Sequence, residues 1–317
     1  MKLGLVTNPG SERNKRGVKA IDAAVAGAAD VLHVHLEDVA DLPAVLADFA
    51  RREVSVLAIA SGDGTVQAAL TVLFEDRPFQ TPPALALLPR GMTNLIAGDV
   101  GLPARPGRAL RKLLRSLRDG DLERHLETRS ILRVDNLADA PPQWGMYLGA
   151  AGMARVTHFC FDQVHSRGVK HQWATAATLF GLLMGYLLGR GTGDVFRSAE
   201  VSVGLDNTPA ETRARIFVLV TTLHRLILGT RPFWNLGHGP LRYSSIADPA
   251  EGLLRNVMTL LYGGAERRLP ESYESRSGHR LELGTDEEIV LDGQFYAPRP
   301  GEPLILTAPE TARFVTI

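Results

Sequence analysis

Over the first hundred residues, short continuous apolar runs alternate with segments whose apolar residues recur every three to four positions. Residues 3–7, 31–36, 54–60 and 84–88 read as strands, and residues 18–29 and 43–51 as helices. Val66, Ala69, Leu70 and Leu73 fall on one face of a third helix. Strands apolar on both faces, with helices between them, predict a parallel sheet covered on both sides. From about Thr128 the rhythm changes. Residues 131–134, 201–205, 216–220, 288–291 and 304–306 read as half-buried strands, with helices mainly between 153 and 188. The expected architecture is α/β plus β: an α/β domain over residues 1–127 and a β-rich domain with a helical insertion over 128–306. There is no internal repeat and no low-complexity segment.

The chain has 317 residues, a length that suits two domains. Its 35 basic and 35 acidic residues cancel, so no global field favours nucleic acid, and none is expected as a partner. One cysteine, Cys160, excludes an internal disulfide and suits a reducing, cytoplasmic setting. The start, MKLGLVTNPG, enters a strand at once and lacks the apolar core of a signal peptide. The longest apolar stretch, WATAATLFGLLMGYLL at 173–188, would span about 24 Å as a helix, too short to cross a bilayer. It reads as a buried helix or as the lining of an acyl-chain cleft.

The segment LAIASGDGTVQAAL (57–70) raises the chemical question. Ser61-Gly62-Asp63-Gly64-Thr65 follows a strand and opens a helix, where glycines let the backbone approach a phosphate and the first amides point at it. Thr65 is expected to cap that helix or touch a phosphate oxygen. Asp63 would repel phosphates unless a cation such as Mg²⁺ intervened. A plain helix-entry turn with Asp as a local cap explains the five residues equally well. Two further turns tip the balance. Thr7-Asn8-Pro9-Gly10-Ser11 ends the first strand, and LPRGMTNLIAGDVGLP (88–103) repeats the strand, glycine turn and helix. Three such turns on one sheet edge would assemble a nucleotide site.

TNPGS, SGDGT and LPRGMTNLIAGDVGLP, with Leu291-Asp292-Gly293-Gln294 near the C-terminus, together resemble the diacylglycerol kinase catalytic family. That family includes bacterial lipid kinases and sphingosine kinases and is distantly similar to NAD kinases. The resemblance implies a NAD kinase-like N-terminal domain, rejoined by about residues 307–317, and a C-terminal β-sandwich-like domain. It also implies ATP and Mg²⁺. Asn8, Ser11, Ser61, Gly62, Asp63, Gly64, Thr65, Gly91, Thr93 and Asn94 carry over as nucleotide-binding, with Asp63 serving the metal. Asp292 and Asp63 carry over as the catalytic pair. The implied reaction moves the γ-phosphoryl group of ATP to a diacylglycerol-like or sphingoid-like lipid hydroxyl at the membrane surface. Leu179, Phe180, Leu183, Met184 and Leu187 are the candidate lining for the lipid. Family members are often dimers, which leaves a homodimer open.

The chain departs from the family pattern in places. Met92 stands where the family has Thr, Leu95 where it has Asp, and Gln294 where it has Glu. Gln takes up no proton at neutral pH, which would leave that work to Asp292. Arg255, in Glu251-Gly252-Leu253-Leu254-Arg255-Asn256, argues against a structural metal in that segment. Two rivals therefore stand beside the lipid kinase: a lipid- or nucleotide-binding protein of the same fold with impaired catalysis, and a kinase of a soluble alcohol.

Other features read as structural. Leu110, Leu113, Leu114 and Leu117 form the apolar face of an arginine-rich helix, packed against a core with its basic face in water; contact with anionic lipid is the sharper alternative. His33 and His35 share a strand face, but no sequence pattern completes a zinc site around them.

Overall fold

The structure, a computed structural model, describes residues 1–11, 14, 18–91, 93–102, 105–167 and 197–317. The expected apolar helix at 173–188, with Leu179, Phe180, Leu183, Met184 and Leu187, lies outside the described residues. The chain forms two compact units. One comprises Met1–Ile131, Leu226–Gly229 and Glu310–Ile317; the other comprises Leu132–Arg225 and Thr230–Pro309.

In the first unit the alternation seen in the sequence becomes β1 (Lys2–Thr7), α1 (Lys19–Val25), β2 (Val31–His35), α2 (Leu42–Arg51), β3 (Val54–Ser61), α3 (Asp63–Thr71), β4 (Ala84–Pro89), α4 (Leu95–Val100) and α5 (Pro106–Asp119). Helix α1 is shorter than the periodicity suggested, because Ala26 and Gly27 leave the helical conformation. The four strands are parallel in the order β4-β3-β1-β2. Ala60 pairs with Thr7 on one side and Leu88 on the other, so three strands end level at their carboxyl termini. Successive side chains of β3 alternate between the sheet faces. Val56, Ala58 and Ala60 share a core with Ile21, Val25, Leu110 and Leu113, while Leu57 and Ile59 are buried on the opposite face. Arg108, Arg111, Lys112, Arg115 and Arg118 of α5 are exposed and Leu110 and Leu113 buried, as a core-packed surface helix requires.

The chain continues through β5 (Leu126–Asp135), β6 (Gln143–Gly145), β7 (Tyr147–Ala151), α6 (Gly152–Arg167), β8 (Ala199–Leu205), β9 (Glu211–Thr221), β10 (Leu241–Ala247), α7 (Leu253–Tyr262), β11 (Tyr273–Gly278), β12 (Arg280–Gly284), β13 (Ile289–Leu291), β14 (Gln294–Tyr296) and β15 (Leu304–Val315). In the second unit the strand pairings are antiparallel. Strand β9 organises them: its first half pairs with β8, its second half with β7, and its other edge with β10. Val201, Val218, Val220, Leu281, Leu283 and Leu304 fill the core between these strands.

Helix α7 was not anticipated from the sequence. It buries Leu253 and Leu260. Its last carbonyls are satisfied by Arg267, which donates to Thr259 O and Leu260 O and also to Arg231 O (2.9 Å) and Phe233 O (3.0 Å). Among the described residues, no helix is long and apolar enough to cross a membrane.

Candidate functional site

The level ends of β1, β3 and β4 bring the three turns of the first unit together, and their side chains are bonded to one another. Asn8 Nδ2 donates to Thr65 Oγ1 (3.1 Å), Ser61 Oγ donates to the same oxygen (2.7 Å), and the hydroxyls of Ser11 and Ser61 lie 2.7 Å apart. Of the two roles expected of Thr65, it does not take the helix cap. Helix α3 opens at Gly62 with no side-chain cap, and the Thr65 hydroxyl joins the turns instead.

Two residues the sequence reading passed over support this array. Asn14, 3% exposed, donates to Asn8 O and Ala60 O, both at 2.8 Å, and accepts from Arg90 Nε (2.5 Å). It follows TNPGS by three residues, and its amide donates to Ser11 O (2.8 Å), a contact that no motif announced. Arg90 places a guanidinium at the turns.

The third turn is built around its own glycine and asparagine. Asn94 has a left-handed backbone (φ 51°), which Asn tolerates better than most residues. Its side-chain amide ties the turn back to Gly91, accepting from Gly91 N (2.7 Å) and donating to Gly91 O (2.8 Å). Gly62 and Gly91 let two turns touch. A Cβ on Gly91 would stand 2.5 Å from Gly62 Cα, backbone against backbone. Gly91→Ala is expected to cost about 1–3 kcal/mol in a urea melt as the turns are forced apart; an unchanged midpoint would show that this approach is slack.

Asp63 joins the second turn to the third. Its two carboxylate oxygens accept the first amides of α4, from Leu95 N (2.9 Å) and Ile96 N (3.2 Å). Asp63 is therefore not a local cap of α3, the helix it opens; it caps α4, more than thirty residues on. Asp63 sits among dense neighbours, and this desolvation raises its carboxyl from 3.8 to about 6 against the opposing pull of the α4 amides. Between about pH 4 and 6 the native state therefore holds more protons than the unfolded chain, and stability falls as pH rises. The effect is roughly 3 kcal/mol in full. In chelator, wild type is expected to lose stability across that window and Asp63→Asn to lack this component; parallel profiles would contradict the assignment.

These residues fit an anion with a cation beside it. The hydroxyls of Ser11, Ser61 and Thr65, the Asn8 amide and the Arg90 guanidinium are donors suited to phosphate oxygens. Asp63 is the carboxylate among the residues of the turns, and its two oxygens keep lone-pair capacity beyond the backbone amides they accept. Thr93 lies in the same turn as Asn94. Gly64 lies in the first turn of α3.

In the second unit, Asp292 and Gly293 form the two-residue turn between β13 and β14, with φ of 46° and 88°. Asp-Gly is the sequence such a primed turn favours. Turn residues are normally solvated, yet Asp292 is 2% exposed. Its Oδ2 accepts from Met146 N (2.8 Å), and its own amide donates to Tyr147 O (2.9 Å). Burial and the nearby Asp292 carboxylate push the Tyr147 phenol upward. Gln294 is exposed where it pairs with Leu291 at the foot of this hairpin. The acidic cluster beside β13 is structural: Glu287 pairs with Arg155 and Arg197, and Glu288 with His158.

The diacylglycerol kinase catalytic domain model matches residues 2–124. These residues belong to the diacylglycerol kinase catalytic-domain family. Two solved structures from Bacillus anthracis str. Sterne that carry the name diacylglycerol kinase have the same fold as the chain. One is 14% identical, covers 100% of this chain and 97% of its own length, and has a TM-score of 0.67. The other is 14% identical, covers 99% and 96%, and has a TM-score of 0.60. No curated protein matches the chain. The three bonded turns all lie inside the diacylglycerol kinase catalytic domain; Asp292 lies beyond the matched residues.

Proposed function

We propose that the protein is an ATP- and Mg²⁺-dependent lipid kinase. Residues 1–127 and about 307–317 serve the nucleotide, and residues 128–306 serve the lipid acceptor. The observation that carries this reading is the bonded array of three turns within a diacylglycerol kinase catalytic domain. In it, Asn8, Ser11, Ser61, Thr65, Thr93, Asn94 and Arg90 offer donors to the ATP phosphates. Gly62, Gly64 and Gly91 keep the backbone of the turns close. Mg²⁺, when bound, offsets charge on the phosphates undergoing transfer. Asp63 holds α4 against the array and supplies its carboxylate toward the metal. Asp292 accepts or orients the proton of the acceptor hydroxyl. With Gln294 unable to take a proton, Asp292 is the base available in the Leu291–Gln294 segment. Phosphoryl transfer depends mainly on positioning and charge stabilisation, and the bonded turns supply the positioning.

The test is where the label goes. Purified protein receives γ-labelled ATP, Mg²⁺ and a total lipid extract in mixed micelles, followed by organic extraction. Label in the organic phase is expected. Label in a water-soluble product would favour a soluble-alcohol kinase, and retained ATP binding without transfer would favour an impaired binding protein.

A further inference from the structure

Outside the turns, the fold brings together three groups that are far apart in sequence pattern. His33 and His35 alternate onto one face of β2, the edge strand of the parallel sheet, and Asp22 reaches them from α1. Asp22 Oδ1 lies 3.8 Å from His33 Nδ1 and 3.4 Å from His35 Nε2, and the three donor atoms stand within 4.8 Å of one another. No Cys or carboxylate pattern in the sequence marks this histidine pair as a metal site; α1 supplies a carboxylate from eleven positions upstream.

We propose that Asp22, His33 and His35 form a binding site for a first-row transition-metal ion of the Zn²⁺ type. Three observations carry it. At metal–ligand distances of about 2.0–2.1 Å, neighbouring donors of a tetrahedral site stand roughly 3.3–3.4 Å apart. The Asp22–His35 separation already matches this, and Asp22 Oδ1 stands 3.8 Å from His33 Nδ1. Next, Asp22 Oδ1 is shielded from solvent and accepts no hydrogen bond, although it is a carboxylate oxygen facing two imidazoles. Finally, His33 is oriented by a buried partner. Its Nε2 is 2.9 Å from the hydroxyl of Thr7, which is fully buried. With Nε2–H donating to that hydroxyl, the Nδ1 lone pair faces Asp22, the arrangement in which a ligating histidine is fixed through its other nitrogen. Two imidazoles and one carboxylate select Zn²⁺ and its neighbours over Mg²⁺ or Ca²⁺. The ion would clamp α1 to the sheet edge, with a coordination position left for water.

The experiment uses tag-free, metal-stripped, full-length protein in equilibrium dialysis against Zn²⁺ with a chromogenic chelator as competitor. Wild type is expected to bind one Zn²⁺ per chain. His35→Ala and Asp22→Asn are each expected to weaken binding by about 100-fold or more, and His125→Ala, outside the cluster, to leave it unchanged. His35 is exposed, so its replacement leaves the core intact. A Zn²⁺-induced rise in melting temperature is expected in wild type and absent in His35→Ala. Equal affinity in wild type and His35→Ala, loss of binding in His125→Ala, or no stoichiometric binding would overturn the proposal.

Discussion

Asp292→Asn is expected to lower phosphoryl transfer by about 10²- to 10⁴-fold while the second unit stays folded. Asn preserves the side-chain oxygen that accepts from Met146 N, and the main-chain bond from residue 292 to Tyr147 O is untouched. Asn also tolerates the positive φ of the turn. What it loses is the ability to carry negative charge and to take a proton. The drop should fall on kcat at saturating lipid, with KM for ATP and the melting temperature near wild type. A variant that folds and keeps full kcat would reduce Asp292 to a hairpin residue and remove the proposed base.

The second large effect is structural. Asp99→Ala is expected to destabilise the protein by about 3–5 kcal/mol, because it strands a buried guanidinium. The Asp99 side chain is 0% exposed and accepts from Arg129 Nε at 3.0 Å. Arg129 keeps Glu127 (2.7 Å) and the carbonyl of Thr128 (3.1 Å), which places the cost at the lower end of that range. Asp99 lies on α4, the helix whose first amides hold Asp63, so ATP affinity is expected to fall with stability. Urea unfolding of the single variants and of Asp99→Leu with Arg129→Met checks the claim. The double variant should recover most of the loss, since apolar residues replace the whole pair. Equal losses in all three would show that packing, not the stranded charge, sets the cost.

What the sequence made legible were the features with short-range causes. Continuous apolar runs such as 56–60 can be buried only on both faces, and parallel pairing then sets Thr7, Ala60 and Leu88 side by side. The three glycine-bearing turns could be placed because each directly follows such a run. Their bonding could not. Asp63 caps a helix 32 residues away, and Asn14 ties two strand ends to Arg90, contacts that depend on tertiary approach rather than local spacing. The mutual dependence of Gly62 and Gly91 was hidden for the same reason; each glycine alone suggested an approaching phosphate. Asp292-Gly293 carried a strong hairpin signal that the motif resemblance overshadowed, and its burial is visible only once Met146 N is in place. Helix α7 was lost because Glu251 to Asn256 was compared with a metal segment, while its stabilising Arg267 lies beyond its end. Asp22 joins His33 and His35 only through the packing of α1.

The central claim is that the three turns together receive the phosphates of ATP. Amide hydrogen exchange of the whole protein, with and without Mg·ATP, tests this most directly. Simultaneous slowing in peptides covering residues 7–11, 61–65 and 90–95 is the expected result. Tight ATP binding with these three turns unprotected would contradict the account.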